Sequence, residues 1–457
     1  MYPVDARSSP MQVKFSAIPS GWRIATVLAP GSAGEFRAGN YDRLVDSPIE
    51  LGRFQESDFE EGGGHYRVVV DAEPADYDIN KIDAMARKIV AAATSWMNDR
   101  PFSTYMFIYH FPHEPVYGGM EHAYCTAITL SAQVLADDPL QLPAITAHEF
   151  FHLWNVKRIR PQSLEPIDYT KENYTPSLWF SEGVTSTVQD YILLRAGLET
   201  DAEYFSGLAD AIDELEQRPA HLTQSAEESS LDAWLEKYRY YRLPDRSISY
   251  YNKGQLLGVM LDLALRDASH GSASLRDLFQ WMNQNYAKLD RFFPDSEGVR
   301  EAAEAVSHAP MKSFFENYVG GDGEVPWNDF FQTVGLDLVK QANPVADLGF
   351  TAARSFDQPA TVTWVNPNSD AENAGLAIGD VILQVNGHTV EPNIARQLAA
   401  LRPGEVLRLR VEKRQTDRDV QWKLGSRTEF EFHLTDKDNI TPRQRARRAA
   451  WLKGESQ

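Results

Sequence analysis

The sequence predicts a multidomain α+β protein, and three observations carry that expectation. A chain of 457 residues is longer than one hydrophobic core usually serves, so two to four domains are expected. The apolar pattern changes period along the chain, from short alternating runs to long helical stretches and back again. Hydrophobic residues make up 43% and aromatic residues 11%, enough to fill ordinary cores and to exclude wholesale disorder.

Residues 1–48 contain short strand-like runs, MQVKFSAI and WRIATVLA, broken by Pro and Gly, as in a partial β domain. ELGRF and HYRVVVDA continue as strands, with QESDFEEGGG between them as a turn-rich acidic loop. From Ile79 the spacing is helical, in INKIDAMARKIVAAATSWMND. TYMFIYHF then reads as a buried strand and HAYCTAITLSAQVL as an edge strand running into a helix. Interleaved strands and helices make 49–200 a mixed layer. Helical periodicity dominates from about 140 to 340, and 201–341 forms a helical subdomain. Its most apolar run is KGQLLGVMLDLALRDAS, and a Gly pair closes MKSFFENYVGG. Beyond Ala342 short Val/Leu/Thr strands, with a helix near NIARQLAALRPG, indicate a small β-rich domain over 342–436. The last segment, 437–457, is basic and reads as an exposed helical tail.

Composition removes several function classes. Forty-five basic against 65 acidic residues leave a formal charge of −20, which argues against a nucleic-acid binder. The single cysteine, Cys125, excludes an intramolecular disulfide and a thiolate metal cluster and reads as a small buried residue. No apolar run is long enough to span a membrane, and MYPVDARSSPMQVKF lacks the apolar segment of a signal peptide, so the chain as written reads as cytoplasmic.

The stretch TAHEFFHLWNVKRIRP carries the chemistry. On a helix, residues four apart lie about 40° apart and roughly 6 Å along the axis, so His148 and His152 share a face. Two neutral imidazoles so placed can hold one Zn²⁺, with Glu149 beside them as base for the attacking water. The rival reading is an amphipathic helix with phenylalanines in the core and histidines that are merely polar. A catalytic zinc usually takes three protein ligands. Glu182, in LWFSEGVTSTVQDYIL, is the candidate third, because a carboxylate among Trp179, Phe180 and Val184 is costly unless paired or bound to metal.

H-E-x-x-H followed by W-x-x-E-G resembles the thermolysin-like and aminopeptidase N-like zinc peptidases. HEFFHLWNVKRIRP as a whole resembles the glycyl aminopeptidase family, a branch that carries a PDZ domain. YDRLVDSPIELG upstream, and SLDAWLEKY and SYYNKG downstream, extend the likeness from Gly21 to about Leu434. It implies a thermolysin-like catalytic domain and removal of N-terminal residues, small ones such as Gly or Ala foremost, from peptides with a free N-terminus. It implies Tyr251 as the donor to the oxyanion, with Tyr250 as the alternative. Taken without the family, two tyrosines opening an apolar helix are more often packing residues. GGMEH is similar to the G-x-M-E-N strand of aminopeptidase N-like enzymes, which makes Glu121 the captor of the substrate ammonium and gives Gly118 and Gly119 to the same site. His122 departs from that pattern, where Asn stands. The family carries a full β-sandwich ahead of its catalytic unit, so the first 48 residues imply a domain cut short: either the true start lies upstream, in which case a signal peptide would be lost with the missing part, or the protein is naturally truncated.

Asp347 to Phe350 and AENAGLAIGDVILQVNG resemble a PDZ domain of the bacterial type. Leu348, Gly349 and Phe350 would then receive a peptide C-terminus, with the helix from Ile394 to Ala400 closing the groove. The alternative is a degraded domain that only packs. Two rival functions stand beside the aminopeptidase: a zinc endopeptidase or oligopeptidase, and a PDZ peptide-binding protein on a relic fold. His65, His110 and His113 read as hydrogen-bonded or surface residues. Lys157, Arg158 and Arg160 contact either a peptide C-terminus or neighbouring acids.

Overall fold

The computed structural model describes residues 5–32, 34–236, 245–354, 359–391 and 393–456; the last two residues of SLDAWLEKY fall outside these. Two compact units emerge, Met1–Leu338 with Leu434–Gln457, and Val339–His433. The arrangement is multidomain α+β.

In the first unit, β1 (Met11–Lys14), β3 (Ala29–Pro30) and β4 (Glu35–Ala38) form one small sheet, and β2 (Arg23–Thr26) pairs with β5 (Ile49–Gly52). Helix α1 (Tyr41–Val45) comes between β4 and β5 in the chain and is capped by Asn40, whose side chain accepts the Arg43 N–H. The central sheet contains β6 (Gln55–Glu61), β7 (Gly64–Ala72), β8 (Thr104–Phe111), β9 (Tyr117–Glu121) and β10 (Cys125–Leu130), in the order β6-β7-β8-β10-β9. Strands β7, β8 and β10 run parallel, and antiparallel strands border them on both sides.

Strand alternation sorts the two faces of this sheet. Met106, Ile108, Val69 and Cys125 face Ala25 and Phe54 from the N-terminal segment. Tyr105 and Phe107 stack toward Phe150, with ring centroids 5.0 and 5.7 Å away. On that side lie α2 (Ile79–Met97), capped by Asp78, and, after α3 (Ala132–Asp137), α4 (Gln141–Phe151).

Two sequence expectations change here. QESDFEEGGG is largely strand β6, because Phe59 is buried and stacks on Tyr66 while Glu56 pairs with Arg67 at 2.5 Å. HAYCTAITLSAQVL does run from strand into helix, but β10 is interior. The short hairpin strand β9 takes the edge instead.

Helices fill the remainder: α5 (Thr185–Ala196), α6 (Asp201–Glu216), α7 (Ala226–Leu231), α8 (Ala233–Glu236), α9 (Tyr250–Ala268), α10 (Leu275–Asn285), α11 (Asp295–Ser307), α12 (Lys312–Phe314) and α13 (Trp327–Phe331). The expected helix MKSFFENYVGG is only α12 followed by a π-helical turn, Phe315–Val319.

Strand β11 (Leu336–Asp347) leads into the second unit and is followed there by β12 (Phe350–Ala353), β13 (Thr361–Val365), α14 (Asp370–Asn373), β14 (Val381–Val385), β15 (His388–Thr389), α15 (Ile394–Ala399), β16 (Val406–Lys413) and β17 (Thr416–Lys423), and β18 (Gly425–Asp436) leads out of it. The sheet order is β12-β13-β14-β16-β17. Val362, Ile382, Leu407, Leu409 and Val411 are its buried centre.

The basic segment after this unit is not an exposed tail. It forms α16 (Pro442–Leu452), opened by a capping box between Thr441 and Gln444, and Trp451 is fully buried. The arginines on its outer face gave it the look of a solvated helix, yet Arg447 is buried against Asp267 at 2.7 Å.

Candidate metal centre

Helix α4 supplies both imidazoles. His148 lies in its last turn and His152 is the C-cap, and their rings meet edge to face with centroids 4.7 Å apart. Glu182 comes from a π-helical turn, Trp179–Val184, that leads into α5. Such a turn carries one extra residue within the helical ladder and is frequent at functional sites. Its Oε2 lies 3.3 Å from His148 Nε2 and 3.4 Å from His152 Nε2. The three donor atoms all fall within 4.8 Å of one another.

Backbone and neighbouring side chains fix these orientations. His152 Nδ1 donates to the Asn155 carbonyl at 2.8 Å. A carbonyl only accepts, so Nδ1 carries the hydrogen and the Nε2 lone pair is left for a cation. His148 Nδ1 faces Ser186 Oγ at 3.4 Å. Asn155 is fully buried, and its Nδ2 donates to the Phe180 carbonyl at 2.9 Å and to Thr185 Oγ1 at 3.0 Å. One residue thus orients a histidine and ties down the turn that bears Glu182.

The electrostatics match that geometry. Burial works against a charged His152, but the Glu182 carboxylate outweighs it and raises the imidazole to about 10. Burial lowers His148. Glu182 is held well below the usual carboxylate range, because its two histidine partners outweigh its burial. Two imidazole nitrogens and one carboxylate oxygen, with their outer nitrogens already engaged, fit zinc.

The other expected residues gather at the same place. Tyr251 is in the first turn of α9, capped by Ser249, and its ring centroid is 6.2 Å from that of His148. Burial and then the Glu182 charge push its phenol well above the ordinary value, so at neutral pH it keeps its proton as a donor. Tyr250 is buried beside it, with centroids 4.9 Å apart. Glu121 ends β9, close enough to bear electrostatically on both histidines. Gly118 borders open space, whereas a methyl group at Gly119 would fall inside the Glu149 carboxylate.

Several residues missed in the sequence complete the site. Gly183 and Gly254 bring the π-helical turn and α9 together backbone to backbone; a Cβ on either would collide with the other segment. SEGV and YYNKG display these glycines, but nothing in the spacing says that they face each other. Asn155, a polar residue within FFHLWNV, was the legible signal that went unused.

The bystander readings hold. His65 pairs with Glu60 at 2.9 Å, His110 with Glu50 at 2.9 Å and His113 with Asp76 at 2.8 Å. Lys157 pairs with Asp46 at 2.7 Å and Arg160 pairs with Glu165. Cys125 is buried and its thiol is pushed up by that burial.

In the second unit, Gly349 has φ of +72°, a backbone state glycine adopts without strain, and its N–H donates to Asp347 Oδ1 at 3.1 Å. Phe350 is buried. A cavity of about 260 Å³ is lined by Leu348, Phe350, Ala352, Ala395, Leu398 and Arg427, among others. Helix α15 ends one residue before the expected Ala400.

Comparison with known proteins gives three family matches: M61 glycyl aminopeptidase over residues 141–257, the Peptidase M61 N-terminal domain over 1–53 and a PDZ domain over 361–413. A solved structure of an aminopeptidase N family protein from Idiomarina loihiensis superposes with a TM-score of 0.83 at 25% identity, covering 98% of this chain and 80% of that one. An M1 zinc metallopeptidase from Deinococcus radiodurans gives 0.46 at 13% identity over 69% of this chain and 64% of its own. Yeast LTA4 hydrolase in complex with bestatin gives 0.47 at 15% identity over 72% and 49%. No curated protein is significantly similar to the chain. No helix among the described residues is long and apolar enough to cross a membrane.

Proposed function

We propose that this chain, which matches the M61 glycyl aminopeptidase family over residues 141–257 and the M61 N-terminal domain over 1–53, is a zinc-dependent aminopeptidase, releasing small N-terminal residues such as Gly and Ala from peptides. One observation carries the reading: His148, His152 and Glu182 converge through two Nε2 atoms and one carboxylate oxygen, with both Nδ1 atoms engaged elsewhere.

These three residues would hold one zinc ion per chain, which when bound supplies Lewis acidity at the scissile carbonyl and makes water acidic enough to attack. Glu149 takes the proton from the attacking water and returns it to the leaving amine. The Tyr251 hydroxyl donates to the oxygen on which negative charge develops. Glu121 pairs with the substrate's ammonium and so sets the distance from the free N-terminus to the cleaved bond. Gly119 keeps the space in which Glu149 works. In the second unit the apolar cavity beside the edge strand β12 would take an extended peptide end, with the backbone of Leu348, Gly349 and Phe350 nearest its carboxylate.

The test combines zinc content of the protein as isolated with hydrolysis of Ala- and Gly-p-nitroanilide and their N-acetylated forms. One zinc per chain and strong preference for the free amine are expected. Equal rates on blocked substrates would instead indicate an endopeptidase, and absence of stoichiometric metal a binding protein.

A further inference from the structure

Two stretches have no part in the chemistry above: YDRLVDSPIELG, upstream of the central sheet, and the basic residues directly after the metal helix. Both converge on one turn. Strand β9 closes on Glu121, and His122, Ala123 and Tyr124 carry the chain into β10. Asp46, the C-cap residue of α1, reaches this turn with its carboxylate. One oxygen faces His122 Nδ1 at 3.2 Å and Lys157 Nζ at 2.7 Å, while the other accepts the Ala123 N–H at 2.9 Å.

Tyr124 is gripped as well. The guanidinium groups of Arg43 and Arg158 lie 4.2 and 5.4 Å from its ring centroid. Helix α1 thus contributes Asp46 and Arg43, and the segment after α4 contributes Lys157 and Arg158. Lys157 is in turn tied to the metal helix, since its N–H donates to the His152 carbonyl at 3.1 Å. A continuous path runs from His152 through Lys157 and Asp46 to His122 and Ala123, and ends at Glu121.

The path is sheltered. The side chains of Asp46, His122 and Lys157 are 23%, 13% and 20% exposed, so their charges are screened less than at an open surface. Burial disfavours the Asp46 charge, yet His122, Lys157 and the Ala123 amide outweigh it and bring the carboxyl down to about 2. The end of an edge strand has sheet hydrogen bonds on one side only and needs such a brace.

We propose that Asp46 is a positioning residue: through His122, Ala123 and Lys157 it fixes the end of β9, and with it the Glu121 carboxylate, at a set distance from the metal helix. Substrates are thereby measured from their free amine. This inference rests on the aminopeptidase reading and deepens it, giving the N-terminal segment a direct role in exopeptidase register.

The experiment compares Asp46→Ala and Asp46→Asn with Glu121→Gln, on Ala-p-nitroanilide and its N-acetylated form, with zinc content and Tm of each variant. Asp46→Ala is expected to raise KM for the free-amine substrate by roughly tenfold, with kcat within about threefold. The slow rate on the blocked substrate and the zinc content should stay unchanged. Asp46→Asn keeps an acceptor for Ala123 and should move KM the same way by less. Equal losses on both substrates, a lower kcat at constant KM, or an unaltered KM in folded Asp46→Ala would each overturn the positioning role. Should Asp46→Ala not fold, the same KM split read in Asp46→Asn and Lys157→Met decides. A wild-type enzyme indifferent to the acetyl group removes the aminopeptidase reading itself. Wild-type discrimination that Glu121→Gln abolishes and the Asp46 variants preserve removes only this inference.

Discussion

Asn155 serves the centre twice, its carbonyl holding His152 Nδ1 and its amide holding the turn that carries Glu182. Asn155→Ala keeps the carbonyl but frees the turn, so zinc affinity should fall about 10- to 100-fold, read by competition with a chromogenic chelator. Under the proposed mechanism, Glu149→Gln removes a proton carrier without touching any of the three proposed ligands. Its zinc content should match wild type while turnover drops about 10²- to 10⁴-fold. Asp190, on α5, predicts a pH effect. Burial raises its carboxyl to about 7, against 3.8 ordinarily, despite hydrogen bonds from Gln255 at 2.8 Å and Gln189 at 2.9 Å. The folded chain therefore binds this proton more tightly than the unfolded one. The group's contribution to stability is full below pH 4 and is lost as pH rises through 7. Asp190→Asn should gain about 2–4 kcal/mol relative to wild type in urea unfolding at pH 8, and almost nothing at pH 4.

At the scale of elements, two glycine substitutions should behave oppositely. A Cβ at Gly254 would meet the Trp179 carbonyl and the Gly183 backbone, which cannot move without parting α9 from the π-helical turn. Gly254→Ala should cost about 1–3 kcal/mol or more, seen as a lower Tm, and should weaken zinc binding as Tyr251 and Glu182 separate. The atoms nearest a Cβ at Gly119 are Oε1, Cδ and Cγ of Glu149, so a methyl there displaces that side chain rather than a neighbouring backbone. Gly119→Ala should keep its Tm and lose most of its kcat. Helices and strands of strong period were legible in the sequence: TYMFIYHF is β8, and the run from Ile79 is α2. Strand β6 was not, because its acidic residues look like loop until β7 supplies Arg67 and Tyr66 opposite them.

For the whole molecule, the segment following the second unit returns to the first. Trp451 Nε1 donates to the Tyr191 hydroxyl at 2.8 Å, Tyr191 donates to Asp262 at 3.0 Å, and Asp262 pairs with Arg266 at 3.1 Å. Tyr191 is on α5 and Asp262 on α9, the helices whose leading ends carry Glu182 and Tyr251. Helix α16 thus braces the far ends of both. Trp451→Ala should destabilise the protein by about 3–5 kcal/mol in thermal or denaturant unfolding, although Trp451 lies far along the chain from every site residue.

The sequence alone determined the local chemistry: four-residue spacing puts His148 and His152 on one face with Glu149 beside them, because helical period is a property of neighbouring residues. It also marked Glu182, through the cost of leaving a carboxylate unpaired among aromatics. Tertiary structure decided what covalent neighbourhood cannot encode. It put the Tyr251 ring beside that of His148, set Gly183 against Gly254, joined Asp46 to Lys157 across the chain and docked a basic helix through Arg447 and Trp451. Each of these is a meeting of distant segments, fixed by how surfaces pack and which buried charges find partners.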